Sequence, residues 1–135
     1  MFGAYNKRIK NVRTSNDWLT RDETVVDEYN AGKLTTFLFT VNGYRGLMNM
    51  ILYVRKPRNI AKIPKNLPML MVSGLDDPVG EYGKGVYRAY NTYHGHIDDI
   101  DLRLFEDCRH ELCNELNKEE IYEEIYGWIM DHMNK

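Results

Sequence analysis

Two short stretches of the chain hold the residue types that acid–base chemistry needs. One is Ser73-Gly74-Leu75-Asp76-Asp77-Pro78-Val79-Gly80, and the other is Asp107-Cys108-Arg109-His110-Glu111. A carboxylate bonded to one imidazole nitrogen fixes the ring's tautomer and stabilises its cation, leaving the other nitrogen to take a proton from a nucleophile. Asp76 or Asp77 supplies the carboxylate and His110 the imidazole. An Asp in a turn before proline is more commonly a turn former. The pair therefore gains meaning only if two elements deliver these loops to the same place.

The sequence around them predicts such elements. Met69-Leu70-Met71-Val72 is a continuous apolar run after Asn66-Leu67-Pro68 and before Ser73-Gly74, as expected for a strand buried on both faces. Residues 84–94 place Val86, Ala89, Tyr90 and Tyr93 on one side of a helix, and Ile100-Asp101-Leu102-Arg103-Leu104-Phe105 alternates as a second strand. The last element is a helix with Asn117 as cap, Glu120 three residues on, and an apolar stripe of Ile121, Ile125, Trp128, Ile129 and Met133. Strand, helix, strand, helix predicts a βαβα unit with two parallel strands, whose carboxyl ends are where functional loops converge. Upstream, Leu38, Val41, Leu47, Met48, Ile51, Leu52 and Tyr53 recur at helical spacing, predicting one or two amphipathic helices broken at Asn42-Gly43 and stopped by Pro57. The first thirty residues read as loops with one helical turn over residues 22–29, contributing no core.

The run from Leu67 to Gly80, followed by Tyr82-Gly83-Lys84-Gly85-Val86, resembles the acid-bearing loop of α/β-hydrolases. Cys108-Arg109-His110-Glu111, with Asn114-Glu115 and the closing helix, resembles their histidine loop. The similarity is to the bacterial lysophospholipase and monoacylglycerol lipase branch, also described as serine aminopeptidase-like. Asp17-Trp18-Leu19-Thr20-Arg21-Asp22, Val26-Asp27-Glu28-Tyr29 and Phe39-Thr40 are similar to its cap region, so the likeness runs from about Asn6 to Trp128. It implies a partial α/β-hydrolase fold as one domain over residues 1–135, with cap-derived helices over about 1–60 and the βαβα unit over about 61–135. It also implies that Asp77 is the acid, with Asp76 as runner-up, and that His110 is the general base. Phe37, Phe39, Leu47 and Met48 would then face lipid beneath the cap, core packing being the plainer alternative.

One departure governs function. The nucleophile of that family lies on a Gly-x-Ser-x-Gly elbow ahead of acid and base, and these residues contain none. Only Ser15 and Ser73 occur, neither on a Gly-flanked turn entering a helix. The expectation is the carboxyl-terminal part of a serine ester hydrolase acting on a lipid or small ester, with negligible activity alone. An amino-terminal hydrolase fragment is the expected partner, and self-association through the exposed edge of the Met69–Val72 strand is another. A non-catalytic lipid- or protein-binding module is the competing reading.

Composition narrows the rest. The 135 residues and 15.9 kDa suit one domain, with 43% hydrophobic and 28% charged residues as in folded proteins. Lys and Arg number 18 against 20 Asp and Glu, so the overall charge gives no pull toward nucleic acid. No apolar run approaches the roughly 20 residues that span a bilayer. Met1-Phe2-Gly3-Ala4-Tyr5 leads directly to Lys7, Arg8 and Lys10 without a signal-peptide core, so a cytoplasmic location is expected. Cys108 and Cys113 read as reduced, buried small residues, Glu111 as a cap or salt-bridge partner of a nearby turn, and Lys7, Arg8, Lys10 and Arg13 as a solvated face. His94, His96 and Asp98 read as solvated loop residues; neither metal nor cofactor is expected.

Overall fold

The computed structural model describes residues 4–133; Met1 to Gly3 of the amino-terminal stretch lie outside the described residues. Helix α1 spans Glu23–Ala31, α2 Val41–Val54, α3 Pro57–Ile60, α4 Lys84–His94 and α5 Lys118–Met133. Strands β1, Met69–Gly74, and β2, Ile100–Phe105, pair in parallel with Met69 opposite Ile100 and Gly74 opposite Phe105. Helix α4 connects them, so the βαβα unit has the predicted order and both strands end on the same side.

The core sits at that end. Cys108, Leu112 and Ile121 are buried together, with Val72, Phe105 and Ile125 packed against them. β1 is less enclosed than its apolar run suggests: Met69 to Val72 are half-buried, and only Ser73 and Gly74 are buried. Among the described residues β2 is its sole strand partner, so side chains that would pack between neighbouring strands stay partly open. The stripe of α5 is likewise buried at Ile121 and exposed at Ile129 and Met133.

Two expectations about the first half of the chain need correction. The amino-terminal residues do build core: Trp18, Leu19, Thr20 and Val26 are buried, and the first three touch the loop that follows β2. Asn42-Gly43 does not break α2 but forms its first turn, where the Thr40 hydroxyl accepts the Gly43 N–H at 3.1 Å. First-turn N–H groups lack helical partners, so a cap there offsets the cost of glycine. Helix α2 ends at Val54, short of Pro57 as expected, and Pro57 itself opens α3 at a position that needs no N–H. Among the described residues, α2 buries none of its own.

Candidate functional site

The loop after β1 aims a carboxylate by its own hydrogen bonding. Val79 N–H donates to Asp77 Oδ1 at 2.8 Å, and Tyr82 N–H closes the loop onto the Asp77 carbonyl at 2.8 Å. With one oxygen held in this turn, Oδ2 faces the next loop, where His110 Nδ1 lies 3.1 Å away. Asp77 is buried, whereas Asp76 is exposed and is tied by its backbone N–H to the Cys108 carbonyl. The structure therefore brings Asp77, not Asp76, to His110.

Gly74 explains how the two loops come so close. A Cβ at this position would lie 2.1 Å from the Cys108 carbonyl oxygen and 2.3 Å from that of Arg109. Both obstacles are backbone, so neither can swing aside. Gly74→Ala is expected to destabilise the fold by about 1–3 kcal/mol or more through overpacking, and to weaken the Asp77–His110 contact. Chemical denaturation of the variant measures the first effect, and the His110 ring resonances report the second.

The loop carrying His110 is clamped to the amino-terminal segment. Arg109 Nη1 donates to the carbonyls of Asp17 and Thr20 at 2.6 and 2.9 Å, and Thr20 Oγ1 donates to the Asn114 carbonyl at 2.8 Å. Beneath them lies Glu115, fully buried; its carboxylate accepts Arg109 N–H at 2.7 Å and Arg21 Nε–H at 2.9 Å. Trp18 packs tilted against the His110 ring with centroids 5.1 Å apart. The imidazole is thus held by Asp77 on one edge and Trp18 on one face, while its side chain stays 37% exposed. Among the described residues, no hydrogen bond engages Nε2.

The Asp77 hydrogen bond raises the His110 pKa above that of an ordinary imidazole, assisted by the charges of Asp77 and Glu111 and opposed by burial. A folded-state value above the unfolded one means the pair stabilises the fold fully below the unfolded histidine value of about 6.5. That contribution is lost as pH rises through the folded value. Melting temperature is expected to decline over this alkaline-going window, and His110→Gln to flatten the decline; a pH series of melts checks it.

Other sequence candidates fall away from this pair. Ser73 is buried and its hydroxyl bonds locally to the Gly74 carbonyl at 3.4 Å. Cys108 is buried, and burial, with the nearby Glu115 charge, pushes its thiol up, which disfavours a thiolate. Cys113, expected to be buried, is exposed on the short 3₁₀ turn Leu112–Asn114. Glu111 accepts the Asn114 amide at 2.8 Å, as a turn cap.

His96 is not a free loop residue: its Nε2 bonds to the Ile63 carbonyl at 2.8 Å, while His94 stays exposed against Tyr90. Within the basic amino-terminal cluster, Arg8 stacks over Tyr82 at 3.6 Å and Arg13 pairs with Asp27 at 2.7 Å. Asp99, Asp101 and His132 bring ligand-type atoms within 4.8 Å of one another. Those groups already engage protein partners, Trp128 Nε1–H donating to Asp101 at 2.8 Å and His132 lying 3.4 Å from Asp99.

Asn117 precedes α5 as predicted but does not act as a simple cap. Its side-chain oxygen accepts from Arg21 at 2.6 Å, and its amide donates to Glu120 at 3.0 Å. Sequence reading missed Arg21 and Glu115 because their 94-residue separation carries no local pattern.

Residues 2–117 match the family described as serine aminopeptidase, S33. Among solved structures, a highly thermostable carboxyl esterase from Bacillus coagulans in complex with glycerol is 24% identical, with a TM-score of 0.80 over 98% of this chain and 43% of that one. A lipase in its open form is similar at 24% identity and a TM-score of 0.79, with the same coverage of both chains. The chain thus spans 43% of the length of these two structures. No curated protein matches it.

Proposed function

Because the chain belongs to the serine aminopeptidase, S33, family and carries part of the α/β-hydrolase fold, we propose that Asp77 and His110 are the acid and general base of a serine ester hydrolase. The observation that supports this reading is the Asp77 Oδ2 to His110 Nδ1 contact of 3.1 Å, which leaves Nε2 without a hydrogen bond among the described residues. In this proposal Asp77 keeps the proton on Nδ1. A serine hydroxyl gives its proton to Nε2 as its oxygen attacks an ester carbonyl. The imidazolium, stabilised by Asp77, then protonates the departing alkoxide, and the resulting acyl-enzyme is released by water in the reverse sequence of proton transfers.

The serine must come from a Gly-x-Ser-x-Gly segment that these 135 residues do not contain. An amino-terminal hydrolase segment is the proposed partner, and a lipid or small ester of lysophospholipid or monoacylglycerol type the proposed substrate, handled in the cytoplasm. Residues 1–60 are assigned to the cap and 61–135 to the part bearing both loops. Chain alone, it is proposed to be inactive; pairing of copies through the free edge of β1 would be a separate property, read by light scattering. The exposed apolar surface of α2 favours a second reading, a binding module without catalysis.

A fluorophosphonate probe tests the proposal in two steps. The purified chain is expected to remain unlabelled, and an adduct on Ser15 or Ser73 would contradict the missing-nucleophile reading. Supplied with a polypeptide carrying the elbow, it is expected to yield a labelled serine and ester hydrolysis dependent on His110. Hydrolysis indifferent to His110, or a well-assembled pair without any, would leave the binding module as the better reading.

A further inference from the structure

The end of the sheet away from the His110 loop carries a second cluster of titratable groups. Asp99 and Asp101 flank Ile100, the first residue of β2, and His132 lies in the last turn of α5. One ligand-type atom from each comes within 4.8 Å of the other two.

The His132 ring is held in a defined state. Its side chain is nine-tenths buried, with 10% exposed. Nδ1 lies 2.7 Å from the Trp128 carbonyl, an acceptor, so this nitrogen carries the proton. Trp128 also stacks on the ring, centroids 4.0 Å apart, and sends its Nε1–H to Asp101 Oδ2 at 2.8 Å. One residue thus orients both the imidazole and a carboxylate.

That arrangement leaves a conflict at Nε2. A neutral ring protonated on Nδ1 presents only a lone pair there, yet Nε2 faces Asp99 Oδ2 at 3.4 Å. No hydrogen bond engages Nε2 among the described residues. Two acceptors aimed at each other call for a cation, either a second proton on the ring or a metal ion. The distance discriminates between them. A charge-assisted N–H to carboxylate bond would be about 2.7–2.9 Å long. Two ligands held at about 2.0–2.1 Å by a tetrahedral zinc ion stand roughly 3.4 Å apart. Nε2 and Oδ2 have the second separation. Arg103 does not neutralise the carboxylates, since it lies 3.5 Å from Asp101 but 2.8 Å from Glu124.

We propose that Asp99, Asp101 and His132 bind a divalent transition-metal ion of the zinc type, clipping the last turn of α5 to the start of β2. His132 Nε2 and one oxygen of each carboxylate are the ligands, Asp101 closing by a small rotation, and water completes the tetrahedron. The ring N–H on a backbone carbonyl and the indole N–H on Asp101 are the outer contacts that orient metal ligands. This goes beyond the proposed acid–base chemistry and does not depend on it, because all three ligands belong to this chain and none touches His110.

Titration of the chelator-stripped chain with Zn²⁺ at neutral pH, read by calorimetry and by the imidazole nitrogen resonances, tests it. A single equivalent is expected to bind, moving the His132 Nε2 resonance and leaving His110 in place. Trp128→Phe keeps a stacked ring but loses the Nε1–H, so it should weaken binding about 10–100-fold, as loss of an outer-shell partner does. His132→Gln and Asp99→Asn remove ligands and should weaken it further. Circular dichroism verifies that each variant folds, and the wild-type resonances report the site without any variant. Absence of a stoichiometric event, wild-type affinity in His132→Gln, or a shift at His94, His96 or His110 in place of His132 would overturn the proposal. So would a His132 ring protonated on both nitrogens and unmoved by Zn²⁺, which would assign the cation to a proton.

Discussion

Glu115→Ala is expected to lower folding stability by about 3 kcal/mol, the lower end of the range for removing one partner of a buried ion pair. The lower end applies because Glu115 is fully buried while Arg21 keeps 28% of its side-chain exposure and retains its bond to Asn117. The alanine leaves the Arg109 N–H without its acceptor and removes the link that joins residue 21 to the loop holding His110. Glu115→Gln preserves shape but keeps only one of the two accepting oxygens, so it should cost less than alanine. Urea denaturation of the three proteins gives the order wild type, glutamine, alanine if the clamp works through charge and hydrogen bonding together. An alanine variant as stable as wild type would show that the clamp carries no stability.

Asp77→Asn should have the largest effect on chemistry. In the hydrolase assembled with its elbow segment, it is expected to lower kcat by about 10⁴-fold, the loss known for neutralising a triad carboxylate. The asparagine amide favours donation to Nδ1, moving the imidazole proton to Nε2 and blocking proton acceptance from serine. Asp76→Asn, at an exposed position away from the imidazole, should leave kcat within a few-fold of wild type. Steady-state ester hydrolysis by both variants separates the two neighbours, and equal losses would remove the distinction between them.

Local pattern made much of this legible. The apolar run at Met69 to Val72, the alternation from Ile100 and the helical face of Val86, Ala89, Tyr90 and Tyr93 are local patterns, so β2 and α4 have the expected bounds and β1 extends its run through Ser73 and Gly74. The Asp77 turn was equally local, being closed by Val79 and Tyr82. What sequence could not reveal depends on distance along the chain. Trp18 and Leu19 look like residues of a polar loop until Arg109 and Glu111 bond to that segment, and only then does the amino terminus become core. Helix α2 shows the opposite failure. Its periodicity is real, but periodicity says which face is apolar and not what covers it.

Heteronuclear NMR of the imidazole nitrogens tests the Asp77–His110 assignment most directly, with His110→Gln identifying the ring among the chain's 4 histidines. The neutral ring should carry its proton on Nδ1 and titrate above an ordinary histidine. Asp77→Asn should lower that pKa and transfer the proton to Nε2, whereas Asp76→Asn should change neither. A neutral ring protonated on Nε2 in the wild-type chain, or a titration unmoved by Asp77→Asn, would contradict an acid that orients the base.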